Sequence, residues 1–121
     1  MKENEQEAFL MKLIEIYEPA MCCPTGVCGP SVDPEILMLT AVSKEVNNTD
    51  GLRLLRRNLS HNPQAFARAT QISEKIQNDG IDVLPITVVD GEIVKEAGYP
   101  SIEQFREITG LPLENVKDKA Q

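Results

Sequence analysis

Apolar positions recur along this chain at two spacings, every second residue and every third or fourth, and the spacing switches repeatedly. Leu13-Ile14-Glu15-Ile16-Tyr17 is a short β-type run, stopped by Pro19. Residues 19–30 hold Pro19, Pro24, Gly26, Gly29 and Pro30 and read as a loop. Asp33 is a good N-cap with Pro34 at the first helical position. Ile36, Leu39, Val42 and Val46 then follow at helical spacing, and Asn47-Asn48 with Gly51 end that helix. Leu52 to Arg57 is a second strand, with Arg53 alternating between Leu52 and Leu54. Pro63 opens a second helical region that runs to Gly80, with Phe66, Ala69, Ile72 and Ile76 as its apolar stripe. Thr70 restarts it after a break and is expected to act as its own cap.

The last third of the chain is strand-rich. Ile86-Thr87-Val88-Val89, Asp90-Gly91 and Glu92-Ile93-Val94 read as a hairpin, because Asp-Gly between apolar strands is a strong turn signal. Ser101 and Gln104 form a capping box for a final helix whose Ile102, Phe105 and Ile108 face inward, and Gly110 stops it. The order β-α-β-α-β-β-α predicts an α/β, thioredoxin-like domain: a four-stranded mixed sheet with helices on both faces. The first β-α-β unit demands a parallel crossover. The third strand then runs antiparallel to the first, so Pro85 at its start lies beside the loop that follows the first strand, at a usual location for sites in α/β folds. In that place the Leu84–Pro85 bond is expected to be cis.

The 121 residues amount to one domain's worth, with 41% hydrophobic and 26% charged residues, an ordinary globular balance. The expected division is a polar extension over 1–11, the domain over 12–113 and a polar tail over 114–121. No apolar run approaches the roughly 20 residues of a membrane helix. A formal charge of −7 argues against binding nucleic acid through the overall field. With no Trp, 2 Tyr and 3 Phe, aromatic stacking platforms are also not expected. The start of the chain carries Glu3, Glu5, Glu7, Glu15 and Glu18, which does not suit a secretory signal. A cytoplasmic location, where thiols stay reduced, is the expectation.

In that setting the cysteines stand out. There are 3, and all lie within the run Cys22-Cys23-Pro24-Thr25-Gly26-Val27-Cys28. An odd, clustered set is not a disulfide framework. Neighbouring Cα atoms sit about 3.8 Å apart, short of the separation a disulfide prefers, so Cys22 and Cys23 pair badly with each other. They are better suited to grip one soft ion. Cys23-Pro24-Thr25-Gly26 fits a type I turn that brings Cys28 back towards them. Copper(I) and trivalent arsenic or antimony accept three soft sulfurs. Zinc prefers four ligands, and the single His61 follows the second strand at the same edge, so a Cys₃His zinc site is a further reading. Three inert structural cysteines are the plainer alternative. There is no Cys-x-x-Cys redox motif. Nor is there a paired-carboxylate, nucleophile–His or phosphate-loop motif, so no enzyme is expected.

Tyr17-Glu18-Pro19-Ala20-Met21-Cys22-Cys23-Pro24-Thr25-Gly26-Val27-Cys28-Gly29-Pro30 resembles the ArsD family of the arsenical-resistance operon. Asn58-Leu59, Asn62-Pro63, Leu84-Pro85, Asp90-Gly91-Glu92 and Gly98-Tyr99-Pro100 match the same pattern, and the likeness covers about residues 12–116. The resemblance implies a thioredoxin-like arsenic metallochaperone with Cys22, Cys23 and Cys28 as metalloid ligands. It implies arsenite or antimonite as cargo, taken from cytosolic glutathione and passed to the ArsA ATPase of an efflux pump. A weak, metalloid-responsive repressor role on operator DNA and a homodimer are implied as well. Two departures are visible: the extra cysteine pairs that some members carry near the C-terminus are missing, and about ten more residues precede the first strand.

Charge is uneven along the chain. Residues 51–70 carry Arg53, Arg56, Arg57 and Arg68 and no acid. Such a stretch could meet DNA phosphates, the carboxylates of a glutathione–arsenite complex or an acidic face of the ATPase; a solvated strand edge is the plainer reading. The main alternatives to a carrier are a DNA-binding repressor that senses arsenite and a zinc- or copper-binding protein. Against the first, the helical region from Pro63 to Gly80 offers only Arg68 and Lys75 as cations, few for a recognition helix.

Overall fold

β1, Lys12–Glu18, is an inner strand around which the chain organises. A computed structural model describes residues 12–21, 33–114 and 116. Residues 1–11, the cysteine-bearing stretch 22–32 and most of the tail lie outside the described residues. Along β1 the side chains alternate as a pleat requires: Ile14 and Ile16 enter one core and Tyr17 enters another on the opposite face.

Helix α1, Pro34–Asn47, begins as its sequence dictates. Asp33 Oδ1 accepts the Glu35 N–H at 2.8 Å, and Pro34 occupies the first turn, where its missing N–H costs nothing. Its Ile36, Met38, Leu39, Val42 and Val46 are buried. The chain returns as β2, Leu52–Asn58, parallel to β1 with Lys12 opposite Leu52 and Glu18 opposite Asn58. The side-chain amide of Asn47 then does an unusual job. Its Oδ1 accepts the Leu54 N–H at 2.8 Å and its Nδ2 donates to the Leu54 carbonyl at 3.0 Å.

The second helical region is broken, as expected, into α2, Pro63–Arg68, and α3, Thr70–Asp79. The cap differs from the expectation. Ala69, at φ −87° and ψ 90°, is the non-helical residue between them, so Thr70 is already the first residue of α3 and no side chain caps it. A methyl group cannot accept a hydrogen bond. The Ala69 carbonyl instead takes the N–H groups of Ile72 and Ser73 at 3.0 and 2.9 Å. One turn of 3₁₀ helix, Ile81–Val83, leads into β3, Ile86–Val89, and β4, Glu92–Lys95. Asp90 and Gly91 both have positive φ, 50° and 89°, which is the left-handed pair a tight hairpin turn needs. The Asp90 carboxylate also accepts the Leu13 N–H at 2.9 Å and ties the turn to the start of β1. Helix α4, Ile102–Thr109, opens on the expected capping box of Ser101 and Gln104 and stops at Gly110 in the left-handed region.

The sheet order is β2-β1-β3-β4, with β1–β2 parallel and the other pairs antiparallel. α1 and α4 cover one face around Ile14, Ile16, Leu54 and the fully buried Phe105. α2 and α3 cover the other around Tyr17, Phe66, Ile72, Ile86 and Val88. This is the thioredoxin-like arrangement that the element order implies.

Candidate functional site

The ends of β1 and β2, the start of β3 and the N-terminus of α1 all lie at one end of the sheet. Tyr17 pairs with Ile86, so the next step along the ladder sets Glu18 beside Pro85. Pro85 is buried, and the Leu84–Pro85 bond is cis, as expected. Met21 is the last described residue before the cysteines and Asp33 the first after them. Cys22, Cys23 and Cys28, with Pro24 and Gly26 of their turn, lie outside the described residues. What the structure gives in atomic detail is the frame that carries them.

That frame is built on a carboxylate. Glu18 is in phase with Ile14 and Ile16, so the pleat turns it into the α1/α4 side of the sheet, where it is fully buried. Arg56 on β2 is in phase with the core residue Leu54 and meets it there. Its Nε donates to Glu18 Oε2 at 2.7 Å and its Nη2 to Glu18 Oε1 at 2.8 Å. The Tyr99 hydroxyl, from the loop before α4, donates to Oε1 at 2.7 Å. Two further contacts use the rest of the guanidinium. Nη1 donates to Thr40 Oγ1 on α1 at 3.2 Å, and Nη2 lies 4.0 Å from the Met21 sulfur. A buried ion pair is tolerable when its partners' remaining hydrogen-bonding capacity is met, and here it is. The Arg56 side chain is only 11% exposed, so its charge serves this cluster, with little surface left for a phosphate or a partner protein.

Burial holds the Tyr99 phenol well above the usual tyrosine range, and the adjacent Glu18 carboxylate adds to the effect. The hydroxyl therefore keeps its proton and remains a donor. Glu18 and Tyr99 are the members of this cluster that sequence reasoning passed over. The signal was present: an acid on β1 and an arginine on β2, both in period-two phase with core residues, can be buried together only as a pair.

The other arginines part company with Arg56. Arg57 points to the opposite face, where its Nη1 meets Glu15 Oε2 at 3.1 Å and its guanidinium lies 5.8 Å from the centre of the Tyr17 ring. The Tyr17 ring meets Phe66 edge-on at 5.2 Å, and burial followed by the nearby Glu15 raises its phenol above the ordinary range. Arg57, Glu15 and Tyr17 line a shallow cleft with Ala65, Arg68 and Ala69. Arg53 is exposed on the outer strand, and Arg68 is exposed as well. His61 is exposed in the turn after β2, its backbone N–H donated to Asn58 Oδ1 at 2.9 Å. Asn58 itself is buried, and its N–H is taken by Asn62 Oδ1 at 3.1 Å, which fixes the turn. Among the described residues no three His, Cys, Asp or Glu side chains gather as a metal site, and no helix is long and apolar enough to cross a membrane.

The family model described as arsenical resistance operon protein ArsD matches residues 11–121. An Escherichia coli protein named arsenical resistance operon trans-acting repressor ArsD is 34% identical over 106 residues, 88% of either chain. A relative from Halobacterium salinarum, named for a repressor of the same operon, is 38% identical over 95 residues, 78% of this chain and 88% of its own. Among solved structures, the crystal structure of an arsenical resistance operon trans-acting repressor from Bacteroides vulgatus superposes with a TM-score of 0.79. It has 41% sequence identity and covers 86% of this chain and 97% of that one.

Proposed function

This chain belongs to the ArsD family, and from that premise we propose that it carries trivalent arsenic or antimony on Cys22, Cys23 and Cys28 and hands it to an ArsA-type efflux ATPase. The observation that carries the reading is the cysteine run itself, three thiols within seven residues that also hold Pro24 and Gly26. In sequence the run lies between β1 and α1, and the end of β1 that precedes it is the end of the sheet where Pro85 also lies. Arsenous acid, As(OH)₃, loses its three hydroxyls as three waters when three thiols supply the protons and the sulfurs, giving a trigonal site that wants no fourth ligand. Such a bond is stable yet exchangeable. An incoming thiol replaces one Cys sulfur and returns its proton to it, so cargo arrives from its glutathione complex and leaves to a partner's cysteines one sulfur at a time, with no free ion.

The test is a titration of the reduced protein with arsenite, read by X-ray absorption at the arsenic edge. One arsenic per chain with three sulfur neighbours is the expected result, lost in Cys22→Ala, Cys23→Ala or Cys28→Ala. Full binding without Cys28, or a fourth ligand from His61, overturns it. Delivery is read separately: intact protein raises ArsA ATPase activity at limiting arsenite and the cysteine variants do not.

A second activity, repression of its own operon, is favoured by the names of the relatives in Escherichia coli and Bacteroides vulgatus. As a repressor the chain would act as a homodimer on operator DNA and let go when arsenite binds. Within the basic stretch, Arg53 and Arg68 are the exposed arginines, and in this reading they would meet the phosphates. Replacing both with Gln lowers operator affinity and flattens its salt dependence if they do.

A further inference from the structure

The cysteine-bearing segment lies between Met21, three residues past the end of β1, and Asp33, the N-cap of α1. Both of its stems are tied to the same buried group. On the first stem, Glu18 precedes Met21 and holds Arg56 through two hydrogen bonds, and Arg56 in turn lies against the Met21 sulfur. On the second stem, Arg56 donates to Thr40 of α1, whose hydroxyl is anchored on the Ile36 carbonyl at 2.9 Å in the first turns of the helix. Tyr99 locks the carboxylate from a third direction. An apolar cluster would fill this space at least as stably, because a buried ion pair rarely outperforms packed hydrocarbon. What the fully bonded cluster adds is fixed geometry, since each of its bonds has a direction as well as a length.

We infer that the Glu18–Arg56–Tyr99 cluster is a positioning device that sets the spacing of the two stems, Met21 and Asp33, between which Cys28 has to be brought to Cys22 and Cys23. This rests on the metalloid-carrier reading. In sequence, Cys22 and Cys23 follow Met21 directly, whereas Cys28 stands five residues before Asp33. A ligand that takes two thiols can be satisfied by the adjacent pair on one stem. A ligand that takes three needs the stems in register, and a small misplacement of supporting groups is enough to loosen such a site. The cluster therefore selects three-thiol over two-thiol cargo, and none of its members touches the metalloid.

The experiment compares arsenite, which exchanges three oxygens for thiols, with phenylarsine oxide, which in water exchanges two. Calorimetric titrations of the reduced full chain are run on the natural protein, Tyr99→Phe and Glu18→Gln, each well below its melting temperature. Tyr99→Phe removes one hydroxyl and keeps the ring, so it folds even if Glu18→Gln does not. Losing one hydrogen bond to a buried carboxylate is expected to weaken arsenite binding by about fivefold or more while phenylarsine oxide changes by less than about twofold. X-ray absorption of arsenite-loaded Tyr99→Phe is expected to show fewer sulfur neighbours. Unchanged affinity for both ligands overturns the inference. So does an equal loss for both in step with a lower melting temperature, which is the mark of a merely structural cluster. If the natural protein binds neither arsenical, the carrier reading fails first, and this inference falls with it.

Discussion

Arg56 closes on Glu18 with two parallel hydrogen bonds of 2.7 and 2.8 Å, reaching across from β2 to the last residue of β1. The arginine on the same strand nearest to it in sequence, Arg57, turns to the other face of the sheet. Removing one partner of a buried pair strands the other charge. Arg56→Met is expected to cost about 3–5 kcal/mol in urea unfolding, while Glu18→Gln with Arg56→Met recovers much of it. Arg53→Gln, at an exposed position, is expected to stay within about 0.5 kcal/mol of the natural protein. A double variant no more stable than the single one contradicts the pairing.

Alkaline pH is expected to unfold the protein through its two tyrosines. Burial raises the phenols of both Tyr17 and Tyr99 above their unfolded value near 10. Above that value the unfolded chain releases the protons while the folded chain retains them. Stability is therefore full below about pH 10 and falls as pH rises further. Tyr99→Phe should remove about one proton's worth of that slope. Melting temperatures between pH 8 and 11 check it, and an unchanged slope in Tyr99→Phe refutes the assignment.

Air oxidation is expected to join Cys28 to Cys22 or Cys23, and not Cys22 to Cys23, whose Cα atoms are held at about 3.8 Å by the peptide bond. The bridged protein should bind no arsenite until reduced. Peptide mapping by mass spectrometry identifies the bridge, and a dominant Cys22–Cys23 product rejects the geometric argument.

Loss of the α4 cap should be modest and local. Ser101 Oγ accepts the Gln104 N–H at 3.1 Å and the Gln104 side chain accepts the Ser101 N–H at 2.9 Å. Ser101→Ala is expected to cost about 1 kcal/mol of stability, seen as a lower urea midpoint with an unchanged slope. It should leave arsenite binding intact.

Local signals made most of this architecture readable from sequence. Asp33-Pro34, Ser101 with Gln104, and Asp90-Gly91 each act within a few residues, and each stands where its pattern put it. The parallel pairing of β1 and β2 followed from the helix between them. Features that depend on distant partners were not readable in the same way. Ala69 at the α2–α3 break has no capping chemistry to announce it. The hairpin carries an irregularity, since Val88 faces Ile93 while Thr87 faces Lys95; the extra residue, Val94, is left half exposed. Arg56 looked like part of a basic surface because composition counts charges without asking which way they point. Only the phase of Leu54 and Ile16 on adjoining strands shows that it must turn inward to Glu18. The three cysteines rest on motif and chemistry, since they lie outside the described residues.

Asn47 has a consequence for the company this protein keeps with itself. β2 is the outer strand on its side of the sheet, and at Leu54 the Asn47 amide takes up both the N–H and the carbonyl that a fifth strand would use. One side chain thus stands in for a stretch of backbone. A second molecule cannot extend the sheet in register past Leu54 without first displacing that amide. The border of β2 is closed to fibre-like growth at Leu54, and an outer strand capped in this way is protected from templating aggregation of further copies.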